Sequence, residues 1–279
     1  MRTLILSDIH GNLAALEAVL DTREARSCER IISLGDHVNF CPQSREVHDR
    51  LVSLGAVMLL GNHEERLTRP SDAEFNGYNW SLLRWTAERM QGADLSLPTD
   101  LIEGPILYTH GTAGDPYHLV QVDELPGVLS ALPEGVTLML SGHNHHRWDV
   151  ESGGHRAFNP GSVGMAEDGM GGMASFAVLE GERAVHHQVP YDVEATIRAY
   201  LTTGAYRAAP EMCRACVRVL QTAEYQGVLN VVRHVIATGR TMGLTLADHA
   251  AWQSADRTYP WAEEMSSTEY WKHMEDVYL

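Results

Sequence analysis

The stretch "MLSGHNHHRWD" (139–149) holds His143, His145 and His146 within four positions. Imidazoles in such a cluster can ligate a metal, move a proton, or merely occupy a turn. Comparable clusters follow four other short apolar runs. Asp8 and His10 follow "TLILS" (3–7), and Asp36 and His37 follow "RIISLG" (30–35). Asn62, His63 and Glu64 follow "AVMLLG" (56–61), and His110 follows "PILYT" (105–109). Singly, each reads as well as a turn with satisfied hydrogen bonds, Gly-Asn being a common turn pair. As a set, Asp8, His10, Asp36, Asn62, His110, His143 and His145 are seven donors of metal-binding type. Mixed carboxylate, imidazole and amide donors suit Mn, Fe, Zn, Ni or Co, and the lack of cysteine among them argues against structural zinc. Two adjacent ions need a shared carboxylate and about three other ligands each, which seven donors with one bridging supply. Such a pair stabilises the attacking and leaving oxygens of an in-line displacement at phosphorus.

These donors span some 140 positions, so a fold must gather them. The five runs are short, Leu- or β-branched-rich and not alternating, which suits strands buried on both faces. Between them, 12–26 and 44–55 have helical spacing, with Asn12 a candidate N-cap and Gly55 a C-cap. Strand–helix–strand order predicts an α/β core in one sheet, with ligands bound beyond the carboxyl ends of its strands. At a strand end, positions two apart point the same way. His143 and His145 are then expected to face one site, and His146 the surface. Later in the chain, Gly153-Gly154 and Gly181-Glu182 centre two predicted hairpins, and the chain reads as helical from about Asp192 onward.

With 279 residues, the chain can build one large domain, or a catalytic domain over 1–190 and a helical segment over 191–279. A net charge of −16 without a basic run disfavours a nuclease or any stable nucleic-acid partner. Positive charge for an anionic substrate would have to come from bound cations. The apolar start ends at Leu6 and the longest clean apolar stretch is 56–60, so a leader or membrane span is not expected and a cytoplasmic location is. Cys213 and Cys216 form an isolated C-x-x-C in a helical pattern, expected to be helix core rather than a metal pair.

The motifs "SDIHGN", "LGDHV", "GNHEE", "YTHG" and "SGHNHH" resemble, in order, the five motifs of calcineurin-like metallophosphoesterases. "NPGSVG" (159–164) is similar to a stretch in the small bacterial phosphodiesterase-like branch of that family, so the resemblance spans roughly 1–190. It implies a four-layer αββα sandwich, a dinuclear centre with Mn expected, and hydrolysis of small phosphoesters, nucleotides foremost. Carried over residue by residue, the first metal takes Asp8, His10, Asp36 and His145. The second takes Asp36, Asn62, His110 and His143. The resemblance further implies attack by a hydroxide between the ions, with His63 assisting the leaving group. Glu64 is expected either to orient His63 and raise its pKa, or to be a first-turn helix acid. Other readings are a dinucleotide polyphosphate hydrolase, a Ser/Thr-type protein phosphatase, and a non-catalytic metal-binding scaffold. The protein-phosphatase reading is weakened because Phe40 stands where G-D-x-V-D-R-G has its phosphate-binding arginine. Cys41 is expected to be an ordinary packed thiol, and His37 either to touch substrate or to be an exposed turn residue. His118 is a weaker substrate candidate, and His186 and His187 are expected at the surface. The aromatic segment 259–279 is expected to pack, the helical segment either capping the site or forming a dimer contact.

Overall fold

The computed structural model describes residues 1–68 and 75–279. The first half of the chain forms β1 (Arg2–Leu6), β2 (Arg30–Ser33), β3 (Val57–Met58), β4 (Asp100–Glu103), β5 (Ile106–Thr109) and β6 (Leu138–Leu140). Two hairpins follow, β7 (Trp148–Ser152) with β8 (His155–Asn159), and β9 (Met173–Glu180) with β10 (Arg183–Pro190). The strands make two five-stranded sheets, in the orders β10-β9-β1-β2-β3 and β4-β5-β6-β8-β7. The neighbours β1, β2 and β3 are parallel in the first sheet, as β5, β6 and β8 are in the second.

The single sheet expected from the strand–helix alternation is thus replaced by two. Local order sets each crossover, but not which edge a later strand joins. That choice is made by packing across the interior. Ile5, Ile32 and Leu59 from one sheet meet Ile106, Leu138 and Phe158 from the other in one buried cluster. The opposite face of β1, Leu4 and Leu6, packs on helices, which explains runs apolar on both faces. The helices of this part are α1 (Leu13–Leu20), α2 (Arg23–Arg26), α3 (Ser44–Ser53), α4 (Asn62–Thr68), α5 (Ser81–Arg89) and α6 (Leu125–Ser130). Leu16 and Val19 of α1 and Val47 and Leu51 of α3 cover the first sheet, and Leu125 and Leu129 of α6 cover the second. The result is an αββα sandwich.

Asn12 caps α1, its Oδ1 accepting from the Ala15 N–H at 3.2 Å. The helix expected over 12–26 breaks at Asp21, because Thr22 starts a second one by accepting from the Ala25 N–H. Strand β4 had no signal in the sequence reading; it is an antiparallel edge on β5.

Beyond β10 the chain forms α7 (Val193–Thr203), α8 (Ala205–Ala208), α9 (Pro210–Thr222), α10 (Gly227–Met242), α11 (His249–Asp256) and α12 (Ser267–Tyr278). Cys213 and Cys216 are buried on α9 in a cluster that also takes Cys41, Leu82 and Met165 from the sandwich. The aromatic segment packs as expected, with Trp271 buried and its Nε1–H donating to the Pro210 carbonyl at 2.9 Å. A capping box of Ser266 and Glu269 starts α12. No described helix is long and apolar enough to cross a membrane.

Candidate metal centre

The loops after β1 and β2 run side by side. The Asp8 N–H donates to the Gly35 carbonyl at 3.1 Å, and the His10 N–H to the Asp36 carbonyl at 2.9 Å. Asp8, His10, Asp36, Asn39, Phe40, His143 and His145 all have positive φ, which side-chain-bearing residues rarely adopt. Backbone strain is thus concentrated here and held by the surrounding hydrogen bonds, as is usual where side-chain direction matters more than local comfort. This also corrects the account of His143 and His145. They lie past the end of β6, so left-handed backbone rather than strand alternation aims them.

The Glu64 carboxylate is the anchor of the second loop. Fully buried, it accepts from the N–H groups of Asp36 (2.9 Å), His37 (2.8 Å), Val38 (3.2 Å) and Gly61 (2.9 Å). The expected pairing with His63 is therefore corrected: both Glu64 oxygens are spent on backbone, and the first-turn position on α4 is the reading that fits. Gly61 permits this closeness, because a Cβ there would lie 2.1 Å from Asp36 Oδ1.

Each aspartate has one oxygen fixed and one turned inward. Asp8 Oδ2 accepts from Ser7 Oγ (2.5 Å) and the His143 N–H (3.0 Å). Its Oδ1 is buried with no hydrogen-bond partner, 3.4 Å from His145 Nε2 and 3.9 Å from His10 Nε2. Asp36 Oδ1 accepts from the His63 N–H at 2.9 Å. Its Oδ2 lies 3.2 Å from His110 Nε2, 3.8 Å from His63 Nε2 and 4.0 Å from His10 Nε2. Asn62 Oδ1 stands 3.2 Å from His110 Nε2. His10 and His110 use Nδ1 on the carbonyls of Val38 (3.2 Å) and Leu34 (3.1 Å), which leaves Nε2 facing the centre. His143 is turned the other way, with Nε2 on the Tyr117 carbonyl at 3.2 Å. Donor atoms of Asp8, His10 and His145 lie within 4.8 Å of one another, as do those of Asp36, His110 and His143. The structure therefore brings all seven sequence-derived ligand candidates to one rim.

Electrostatics point the same way. Burial pushes Asp36 up to about 6, helped by the neighbouring carboxylates of Glu64 and Asp8 and opposed by His110. Burial would lower His110 and His145, yet carboxylates outweigh it: Asp36 foremost lifts His110 to about 9, and Asp8 with Glu167 lifts His145 to about 10. Asp8 is held well below the usual carboxylate range, the His145 contacts overcoming its burial. Buried carboxylates here call for positive charge, either protons on these imidazoles or metal cations in their place.

A profile of the calcineurin-like phosphoesterase superfamily domain matches residues 1–183. The chain belongs to the calcineurin-like phosphoesterase superfamily. It is a metal-dependent phosphoesterase, and the family uses divalent metals. Among solved structures, a metallophosphoesterase of Sphaerobacter thermophilus is similar at 28% identity and TM-score 0.65, covering 78% of this chain and 99% of that one. A hypothetical protein of Pyrococcus horikoshii shares the fold at 18% identity and TM-score 0.65, over 80% of this chain and 98% of that one. An uncharacterised protein of Methanocaldococcus jannaschii is 27% identical over 201 residues, 63% of this chain and 81% of that protein. The donor set of this phosphoesterase fits divalent metal on its own geometry, since Asp8 Oδ1 is a buried acceptor without a hydrogen-bond donor, facing the ring nitrogens of His145 and His10.

Other residues of the phosphoesterase land differently from expectation. Asn39 is the partner of His63: its Nδ2 donates to Nδ1 at 2.8 Å, while Thr86 Oγ donates to its Oδ1 at 3.4 Å. With the Asn39 amide in this orientation, the hydrogen of His63 sits on Nε2, toward the centre. Burial and the charges of His10 and Arg66 hold His63 well below the usual imidazole value, opposite to the raised value expected from Glu64. His37 neither touches substrate nor lies exposed; it is buried, 3.1 Å from Glu64 and 3.1 Å from His48. His118 instead pairs with Glu124 at 3.1 Å, and His146 is half-buried against the Glu167 carbonyl. His186 is half-buried, stacked on Phe158 and bonded to the Asn159 carbonyl at 2.7 Å, rather than a surface residue. His187, likewise half-buried, stacks on Phe176. Burial pushes the Cys41 thiol up to about 12, so it packs rather than reacts.

Three useful residues carried no sequence signal or a weak one. Asn39 sits inside the second motif, where its place next to Phe40 could have flagged it. Glu167 lies 3.5 Å behind His145 Nδ1, a carboxylate backing a candidate imidazole ligand, and follows "NPGSVG" without a telling spacing. Arg66 follows His63 by one turn of α4, its guanidinium over the rings of Trp80 (5.1 Å) and Tyr117 (5.3 Å). A cavity of about 410 Å³ opens from Asp36, Asn62, His63, His143 and His145 and passes Arg66 and Phe40.

Proposed function

We propose that the chain hydrolyses phosphoester bonds of small substrates, diesters and monoesters of nucleotide type among them, at a centre of two divalent ions. Mn²⁺ suits the mixed oxygen and imidazole donors. One ion would be held by Asp8, His10, Asp36 and His145, and the other by Asp36, Asn62, His110 and His143. The observation that carries this reading is the position of Asp36 Oδ2, between the His10 side and the His110 side of one buried rim. When bound, the cations supply Lewis-acid charge to the phosphoryl oxygens and acidify water for attack on phosphorus.

The chain's own groups do the rest. His63, with Nδ1 accepting from Asn39, presents Nε2–H as a neutral donor to the leaving oxygen. Arg66 supplies a cation to the phosphate from α4, which offsets the loss of the arginine position to Phe40. Phe40 instead packs its ring against His10 and His63, each at 4.8 Å, and excludes water from one side of them. The test is turnover of aryl phosphodiesters by the full chain: chelation should abolish it and Mn²⁺ restore it. Undiminished turnover by a chelated sample of verified metal content would sink the reading.

A further inference from the structure

The cavity at the metal centre has two unlike ends. One end is the ligand rim with His63 and Arg66. The other is built by the C-terminal helices: Met212 of α9, Val228 and Val232 of α10, Leu246 before α11, and Trp252 on it, with Trp80 facing them from the sandwich. Leu229, 44% exposed, borders the same wall. Among the described residues lining the cavity, Arg66 is the one Lys or Arg, and it stands at the inner edge of the metal end, its guanidinium over the Trp80 ring at 5.1 Å. At about 410 Å³ the space falls in the range of small-molecule pockets, about 300–1,000 Å³.

We infer that the C-terminal helices form a chamber for an uncharged, ring-sized apolar substituent of the phosphoester, so that the substrate class is a single phosphate bearing a flat, largely apolar group. This rests on the phosphoester reading above and narrows it. A phosphate at the rim can direct its ester group past Phe40 and Trp80 into the apolar end, where the lining gives it a surface to bury against. Among the described lining residues a polyphosphate chain running the same way would meet no further Lys or Arg, only neutral polar groups such as Asn79, Tyr225 and Gln226, which compensate its charges poorly. A dinucleotide polyphosphate is therefore the poorer occupant. An aromatic ring gains by burial there, between indoles and branched aliphatic side chains.

Binding of phenylphosphonate and methylphosphonate to the Mn²⁺-loaded full chain, followed by calorimetry, tests this without turnover. The phenyl compound should bind about tenfold or more tightly. Val232→Asp, or Leu229→Asp at the more exposed wall, should bring the ratio of the two affinities to about threefold or less, whereas Val232→Leu should keep it. Equal affinities in the unaltered chain, no binding of phenylphosphonate, or a ratio unmoved by both Asp variants would overturn the chamber. A chain that keeps the phenyl preference yet never hydrolyses phenyl phosphate or its diesters would overturn the hydrolase reading and leave the chamber standing.

Discussion

The two ends of the cavity are held in different ways. At the rim, direction is fixed by hydrogen bonds. Glu64 takes four backbone N–H groups, each aspartate has one oxygen tied, and the imidazoles of His10 and His110 are pinned through Nδ1. At the far end, the side chains of Met212, Val232 and Leu246 are placed by packing, and the hydrogen bonds there tie the wall together, Trp252 Nε1–H to the Leu246 carbonyl at 2.9 Å, without aiming a polar group into the cavity. A substitution at the rim thus leaves a buried polar group without its partner, and at the wall it changes only shape and polarity. The first kind of loss is steep and specific, and the second is graded.

The contrast is sharpest at Asp36. Asp36→Asn keeps the shape but removes the charge shared by both sides of the rim. Turnover should fall beyond the ~10²–10³-fold typical of losing one electrostatic donor, with metal content down in the same sample. Metal analysis alongside steady-state rates checks it. Near-normal metal content and turnover would show that Asp36 does not bridge.

His63→Ala should come next, losing ~10²–10³-fold on an alkyl leaving group and much less on p-nitrophenolate, which needs no help to depart. Metal content should stay as in the unaltered chain if His63 donates as proposed; a ring nitrogen of His63 lies within 4.8 Å of donor atoms of His10 and Asp36, so a loss of metal would make it a ligand instead. An equal loss on both leaving groups would remove it from that role.

What could be read from the sequence follows the same division. The seven ligand candidates were legible because each directly follows an apolar run, and strand ends in an α/β sandwich converge on one rim. Two sheets in place of one were legible only through the family resemblance, since the pattern of Ile106 or Leu138 is the same whichever edge the strand joins. Glu64 stands between two roles in the sequence because proximity to His63 says nothing of where its carboxylate will find donors. A helical segment capping the site is one of two expectations for 191–279, but the apolar lining it gives the cavity was not legible. Val232 and Met212 carry the helical periodicity of core residues, and a cavity differs from a core only in what the neighbouring helix leaves unfilled.

Glu167 joins the two ends, and its removal should have the smallest of these effects. One oxygen lies 3.5 Å behind His145 Nδ1, and the other accepts from the Gln226 N–H at 2.7 Å, at the start of α10. Against its own burial, His145 is lifted to about 10 by Asp8 and Glu167, so at pH 7 it binds a proton that metal must displace. Metal affinity should therefore rise with pH from 7 toward about 10, with proton release on binding at the lower end. Glu167→Gln removes a charge that acts on both competitors. A divalent ion feels that charge about twice as strongly as a proton in the same place. The variant should bind Mn²⁺ ~10–100-fold more weakly, and its affinity should level off at a lower pH, because its His145 loses the proton sooner. Calorimetry of Mn²⁺ binding across that pH range, in buffers of different ionisation enthalpy, measures both slopes. Parallel curves for the two proteins would mean that Glu167 holds α10 and leaves His145 alone.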